Sequence, residues 1–409
     1  MTTRKRWIRF GPGWLVTAAF IGPGTVVTAS KAGALFGCDL LWAILFACFG
    51  AIVLQSLVAR VGISTQGGLG EAIRQSLARS IWLRPAIVLV IAAIGIGNTA
   101  YQTGNLTGAV TGISFIAGGD PAIWLVLLAA AACTLVCIGR YQWLHRILVA
   151  LVIVLSLAFL STASLSMPSL GRMMGGLFVP RVPDGSLSLV LGLIGTTIVP
   201  YNLFLHASGA ARTWAGADPK EAILQSDRDT LLSVSLGGLV TIAICLTASA
   251  AFFDTQTRWE SIGDSAKQLS PTLGPLSSVA FGIGLFAAGL TSSITAPVAT
   301  AYAICGCLNW NATLESRAFR GIALAVILIG TAIAVSLGKS PASVILFAQV
   351  SNGLLLPIIA AFVLRVSIGQ VRKESDEMSR SRLVVAAGVV AVVSSLGVWR
   401  LISALFPLG

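Results

Sequence analysis

The pentapeptide Ile21-Gly22-Pro23-Gly24-Thr25 stands in the middle of the first long apolar segment of this chain, which we place at residues 13–37. Proline removes a backbone donor and clashes with the preceding helical turn, and glycine tolerates non-helical dihedral angles. A second interruption, Gly195-Thr196-Thr197-Ile198-Val199-Pro200-Tyr201-Asn202, stands in the segment 187–210. The first motif alone is also compatible with a simple proline kink. Together they predict two helices that are unwound near their middles.

The composition excludes a soluble globular domain. Of the 409 residues, 56% are hydrophobic and only 10% are charged, whereas soluble domains carry about 25% charged residues. The apolar residues form continuous runs rather than alternating with polar ones, so we expect membrane-spanning helices and not barrel strands. Each run is near the ~20 residues that a helix needs to cross a bilayer.

Eleven such runs predict an all-α membrane protein. We place the spans at 13–37, 40–61, 85–112, 121–139, 144–163, 187–210, 230–253, 277–307, 320–337, 342–366 and 383–406. The amphipathic segment 62–84 is predicted to lie at the cytoplasmic interface. The segments 165–185 and 254–276 are predicted to be external loops.

The basic residues predict the orientation of these spans. With a cytoplasmic N-terminus, twenty Lys and Arg residues fall in inside segments and six in outside segments, the bias that membrane insertion follows. The net charge of +12 therefore reflects topology and not nucleic-acid binding. We expect a bacterial inner membrane protein without a cleaved signal, with its N-terminus inside and its C-terminus outside.

The interrupted spans are the first and the sixth, five spans apart. This spacing predicts two inverted five-helix repeats, at 13–163 and 187–366, with an eleventh helix at 383–406, in one transmembrane domain covering 1–409. Interrupted spans at matching places in two halves are typical of a transporter binding site.

The residues around the two interruptions resemble those of the Nramp family of metal-ion transporters, which have a LeuT-type fold. The first motif is similar to the family's Asp-Pro-Gly-Asn region, and Val199-Pro200-Tyr201-Asn202-Leu203-Phe204-Leu205-His206 is similar to its Met-Pro-His-Asn-Leu-Tyr-Leu-His. Ser292-Ser293-Ile294-Thr295 resembles the span-8 motif, and Gln349-Val350 with Pro357 resembles the span-10 motif. The resemblance covers nearly the whole chain.

This chain departs from the family at the positions that carry its chemistry. The family's metal-binding Asp, Asn and Met correspond to Gly22, Thr25 and Val199, and its first span-6 His corresponds to Tyr201. Its proton-path acids in span 3 fall at or near Thr99 and Gln102. The usual transition-metal site is therefore not expected.

What remains at the two interruptions favours an anion. All fifteen carboxylates fall in loops or at the ends of predicted spans, and dehydrated divalent ions need charged or soft ligands. The half-helix that starts near Gly24 presents unpaired N–H groups and a partial positive charge. The sequence therefore predicts a small inorganic anion, with bicarbonate as the best candidate, bound by Gly22, Gly24, Thr25, Thr196, Val199, Tyr201, Asn202 and Gln349.

Further polar residues are predicted to line the permeation pathway: Thr28, Lys31, Asn98, Gln102, His206 and Asn352. Lys31 either lines the outer vestibule or extends to lipid headgroups. His206 either relays protons or hydrogen-bonds within the bundle. The polar side chains of span 3 either face the pathway or connect helices.

Transport is expected to be passive or ion-coupled, because no Gly-rich ATP-binding loop occurs and no ATPase subunit is implied. In LeuT-type transporters, carbonyls of span 1 and hydroxyls of span 8 can hold sodium, and Ser292, Ser293 and Thr295 supply such hydroxyls here. The same hydroxyls also pack helices without an ion. The expectation is a sodium-coupled anion symporter working by alternating access, with no enzymatic activity and no other cofactor.

Two alternatives remain at this point. A divalent metal ion (manganese, iron or magnesium) would need a rearranged site made of Thr25, Asn202, Gln349 and backbone carbonyls. A membrane sensor or scaffold without transport activity is the third reading.

Overall fold

The computed structural model describes residues 13, 21–139, 142–337, 340–374 and 377–405. Within these ranges the regular secondary structure is entirely helical. The helices are α1 Pro23–Phe36, α2 Leu41–Thr65, α3 Leu69–Ser76, α4 Leu83–Ala117, α5 Pro121–Ile138, α6 Gln142–Leu165, α7 Leu170–Phe178, α8 Leu187–Thr197, α9 Pro200–Thr213, α10 Pro219–Ala248, α11 Ser277–Leu308, α12 Arg317–Leu337, α13 Pro341–Glu374 and α14 Glu377–Leu405.

Ten helical segments of the described residues are long and apolar enough to cross a membrane, and they correspond to the second to eleventh predicted spans. Of the first predicted span, only Gly13 and the half from Ile21 lie within the described residues. α10 begins at Pro219, eleven residues before the predicted start, because the Asp218 side chain caps it by accepting the Glu221 N–H at 3.0 Å. The chain is a multi-pass membrane protein.

The segments between the predicted spans, the interfacial segment 62–84 and the two predicted loops, contain several short helices. Within 62–84, α2 continues to Thr65 and the amphipathic α3 packs against α11. Within 165–185 the structure places α7. The segment 254–276 folds into a 3₁₀ helix, Ile262–Leu269, and a helical turn, Ser270–Leu273. Ser261 and Asp264 form a capping box at the start of that 3₁₀ helix. The prediction of a loop used the composition of the segment and overlooked this local helix-start signal.

The helix contacts follow the pairing that two inverted repeats require. α1 packs against α10, and the equivalent half of span 6, α9, packs against α2. In the same way α4 packs against α13, and α11 packs against α6. α14 lies outside both repeats, against α13 and α2.

Glycines allow α4 and α11 to touch backbone to backbone. A Cβ atom on Gly289 would lie 2.5 Å from the backbone nitrogen of Ala109 and 2.7 Å from the carbonyl oxygen of Asn105. A Cβ atom on Gly112 would lie 2.6 Å from the carbonyl oxygen of Gly282. Small residues at such crossings let membrane helices approach closely. We call this contact the glycine seam.

Candidate functional site

The first interruption ends where α1 begins. Gly22 precedes the helix with an extended backbone (φ −105°, ψ −176°), and Pro23 occupies its first turn. The first helical bond of α1 runs from the Val26 N–H to the Gly22 carbonyl at 3.2 Å. The N–H group of Gly24 precedes this first bond and therefore has no acceptor within α1.

The second interruption separates α8 from α9 and consists of Ile198 and Val199. Ile198 still donates its N–H to Ile194 at 2.8 Å, whereas Val199 is extended (φ −76°, ψ 123°) and precedes Pro200. Because Pro200 has no N–H, the carbonyl of Thr196 loses its helical donor. The predicted unwinding of the sixth span is confirmed, and it exposes carbonyl oxygens at the end of α8 as well as N–H groups at the start of α9.

The two interruptions meet through side chains. The hydroxyl oxygens of Thr25 and Thr196 lie 2.8 Å apart, and both residues are fully buried. The amide of Gln349 on α13 lies directly over Gly24, where a Cβ atom would displace it. The absent side chain of Gly24 thus brings α1, α8 and α13 to one point.

Around this point several buried polar atoms have no hydrogen-bond partner. They are both amide atoms of Asn202 and of Asn352, Oε1 of Gln349, the hydroxyl of Tyr201 and Oγ1 of Thr28. The ring of Tyr201 packs edge-on against Tyr101 with centroids 5.4 Å apart. Buried polar groups are normally paired, so this set is the candidate ligand site.

The site carries no fixed charge. Among the described residues no group of three or more His, Cys, Asp or Glu side chains comes together. The sequence from Met1 to Gly37 contains none of these four residue types. As ligands for a cation, the interrupted first span therefore offers hydroxyl and carbonyl oxygens and no charged group.

Both predicted pathway residues of span 3 connect helices. The Asn98 amide donates to the Thr300 hydroxyl at 2.6 Å, and the Gln102 amide donates to the Ser293 carbonyl at 3.2 Å, both on α11. Asn352 lies across from them, with Oδ1 3.5 Å from the position of a Cβ on Gly97. Their role in permeation stays a prediction.

Lys31 and His206 lie away from the double interruption. The Lys31 ammonium lies 5.8 Å from the ring centroid of Trp259 in the segment between α10 and α11. The Nε2 atom of buried His206 lies 3.2 Å from the Thr230 hydroxyl on α10. His206 Nδ1 has no partner.

The predicted sodium ligands all lie on α11. The Thr295 hydroxyl donates to the Thr291 carbonyl at 3.1 Å, and the Ser293 hydroxyl is buried without a partner. Ser292 is fully buried. Sodium binding by these hydroxyls stays a prediction.

The structure also shows buried polar residues that the sequence reasoning missed. Gln268 is buried and connects two helices, donating to the Ser30 hydroxyl on α1 at 2.8 Å and accepting from the Thr247 hydroxyl on α10 at 3.1 Å. Asp229, 8% exposed, accepts the Gly13 N–H at 2.7 Å. Gln268 is flanked by Lys267 and, two residues on, by Ser270, so no local pattern indicated that it is buried.

Solved transporters share this architecture. The manganese transporter of Eremococcus coleocola matches with a TM-score of 0.71 at 21% identity, over 96% of this chain and 93% of that one. The nucleobase-cation symporter Mhp1 matches with a TM-score of 0.57 at 13% identity, over 98% and 93%. MhsT matches with a TM-score of 0.58 at 18% identity, over 96% and 100%. The fold is LeuT-type, with two inverted five-helix repeats and an eleventh helix.

The expectation of a bicarbonate or other anion carrier is wrong. Curated relatives from two Klebsiella pneumoniae strains are 26% and 27% identical over 97% of this chain and 94% of theirs, and both are named divalent metal cation transporter MntH. The prediction of an anion considered only the positive, N-terminal ends of the half-helices at the interruptions. α8 points its carbonyl end, the negative end of its dipole, at the same place. Amide and hydroxyl oxygens add further acceptors there, so the absence of carboxylates does not exclude a cation.

A family model supplies the last comparison. The model described as natural resistance-associated macrophage protein-like matches residues 13–403. This range includes both interruptions, both repeats and nearly all of α14. The chain belongs to the Nramp family.

Proposed function

We propose that this protein moves a divalent metal ion across a bacterial inner membrane by alternating access, with its N-terminus in the cytoplasm. The family and the names of the curated relatives support the class of ion. The bias of basic residues towards one set of loops supports the orientation.

The ligands we assign are neutral oxygens at the double interruption. They are the hydroxyls of Thr25 and Thr196, the side-chain carbonyls of Asn202 and Gln349, and the backbone carbonyl that Pro200 leaves without a donor. Asn202 and Gln349 give the strongest support for this assignment, because their buried amide oxygens have no hydrogen-bond partner. A bound cation would coordinate these oxygens in place of the missing hydrogen-bond donors.

Neutral oxygens select the kind of metal ion. Complete dehydration of a doubly charged ion would cost far more than uncharged ligands return, so the bound ion retains part of its water shell. Mg²⁺ dehydrates reluctantly and keeps several waters when it binds, and Mn²⁺ also accepts oxygen ligands. We therefore propose Mg²⁺ and Mn²⁺ as substrates. Soft ions such as Cd²⁺ prefer thiolate or thioether ligands, and none is among the residues assigned to this site.

Uptake into proteoliposomes tests the proposal. The purified protein should take up Mg²⁺ and Mn²⁺ with saturation, with Mg²⁺ competing against Mn²⁺. Asn202→Ala should raise the KM about tenfold, because a bond to a charged group is lost. Asn311→Ala, at an exposed asparagine between α11 and α12, is the matched control. Absence of saturable uptake of both ions would refute the assignment.

A further inference from the structure

A long groove lies on the outer surface of the helix bundle, between α4, α11, α12 and α13. Its volume is about 690 Å³, which is within the roughly 300–1,000 Å³ of sites for small organic molecules. Thr103 and Val326 at its bottom are buried, whereas Ile96, Ile329 and Phe347 at its edges are more than half exposed. Because these helices cross the membrane, the groove opens towards lipid.

The hydroxyl groups in the groove donate their hydrogen bonds to the helix backbone. Among the lining residues that the structure describes, the polar ones are Thr99, Thr103 and Ser351. Their hydroxyls donate to backbone carbonyls of α4, α12 and α13 at 2.7 Å, 3.1 Å and 2.8 Å, respectively. A polar ligand would give up its hydrogen bonds to water here without a donor to replace them. The groove therefore suits an apolar occupant.

The length of the groove matches that of a lipid acyl chain. Lining residues extend along α4 from Ile91 to Thr103 and along α12 from Ile322 to Leu337. At 1.5 Å per residue these stretches measure about 18 Å and about 22 Å, and one leaflet of the hydrocarbon core is about 15 Å deep. An acyl chain lying along the groove would contact apolar side chains over its whole length, and such chains make up the hydrocarbon that surrounds these helices.

We propose that this groove binds one acyl chain of a membrane phospholipid. The chain lies between Ile96 of α4 and Ile329 of α12 and contacts Phe347 of α13. Gln349, two residues after Phe347, lies on the opposite side of α13, over Gly24. The bound lipid therefore packs against the back of the helix that carries a proposed metal ligand. This inference does not depend on which ion the transporter carries.

Native mass spectrometry of the detergent-purified full chain tests the proposal, with palmitoyl-oleoyl-phosphatidylethanolamine as the probe. The first lipid should bind at least about fivefold more tightly than later ones, because a chain in the groove buries apolar surface on several sides. Ala100→Trp places an indole ring in the groove and should weaken this first binding event about tenfold, since the ring takes the place of several methylene groups. Ala130→Trp, the same substitution at an exposed position of α5, is the matched control and should leave the first binding event unchanged.

A second variant and a second lipid separate the acyl chain from other occupants. Ala325→Trp fills the groove from α12, at an exposed position, and should weaken the first binding event as Ala100→Trp does. Dihexanoyl-phosphatidylethanolamine has the same headgroup and much shorter chains, so it should not displace the first lipid at equal concentration. An unchanged first binding event in both variants, displacement by the short-chain lipid, or a dimer of the protein in place of the lipid adduct would overturn the proposal.

Discussion

Gly22 contributes an extended backbone to the first interruption but no charge. The resemblance places the metal-binding aspartate of the family at this position, and the structure places Gly22 directly before α1. A carboxylate there would face the positive end of α1. One residue thus decides whether the cation meets a charged or a neutral site.

Gly22→Asp is predicted to tighten the binding of Mn²⁺ by about tenfold or more, because a charge now faces the cation in a poorly solvated place. The preference for Mn²⁺ over Mg²⁺ should rise, because the added carboxylate compensates the cost of removing water from the bound ion. Competition of the two ions in proteoliposome uptake measures this.

Gly22→Asn provides the matched control, with nearly the same shape and no charge. Equal affinities of Gly22→Asp and Gly22→Asn for Mn²⁺ would show that the ion does not bind near this residue.

The 3₁₀ helix Ile262–Leu269 is an element whose stability depends on one carboxylate. Asp264 accepts from the Lys267 ammonium at 2.7 Å and from the N–H groups of Ser261 at 2.9 Å and Glu260 at 3.1 Å. Partial burial opposes ionisation, but these hydrogen bonds prevail and lower the pKa of Asp264 to about 2 from an ordinary 3.8. The folded state therefore favours the ionised carboxylate.

Asp264→Asn is predicted to lower the unfolding midpoint of this segment at pH 7. Because the folded pKa is depressed, the stabilisation is present above pH 4 and is lost as the pH falls towards 2. The difference between variant and wild type should shrink over that range. Fluorescence of Trp259, whose indole donates to the Ser265 hydroxyl at 2.9 Å, reports the transition.

Glu260→Gln, at an exposed neighbouring carboxylate, should leave the Trp259 transition unchanged. A variant and a wild type that unfold together at pH 7 would contradict the role given to Asp264.

The elements differ in how far the sequence predicted them. Spans follow from apolar length, and the interruption at Val199-Pro200 follows from the proline's missing N–H, so both were predictable. α7 and the 3₁₀ helix Ile262–Leu269 were missed, because short helices rich in Gly, Ser or Pro are stabilised by caps and by contacts distant in sequence. The contact of Gln349 with Gly24 joins residues 325 positions apart, and no local pattern specifies it.

At the scale of the whole molecule, the residues that we assign to the candidate site include no acid that could exchange protons during transport. The described residues bring no group of three or more His, Cys, Asp or Glu side chains to the double interruption. The sequence showed that the acids were missing but not which charge of ion the cavity accepts. That depends on the direction in which α8, α9 and the amide side chains point.

Metal uptake is predicted to be independent of pH between 6 and 8 and to run without counterflow of protons, because no ligand releases or takes up a proton. Proteoliposomes loaded with a pH-sensitive dye and driven by a Mn²⁺ gradient measure both quantities. Acidification or alkalinisation of the lumen in step with uptake would contradict this prediction.

The glycine seam has a consequence for how such a molecule can move. At the glycine seam the two backbones touch without intervening side chains, and Asn98 and Gln102 add hydrogen bonds between the same two helices. We therefore expect α4 and α11 to move together as one rigid unit. Opening of the candidate site to either side of the membrane should then occur by movement of α1, α8 and α9, which can bend at their interruptions relative to this rigid unit. A bulky residue in place of Gly289 would push α4 and α11 apart and leave both interruptions unchanged.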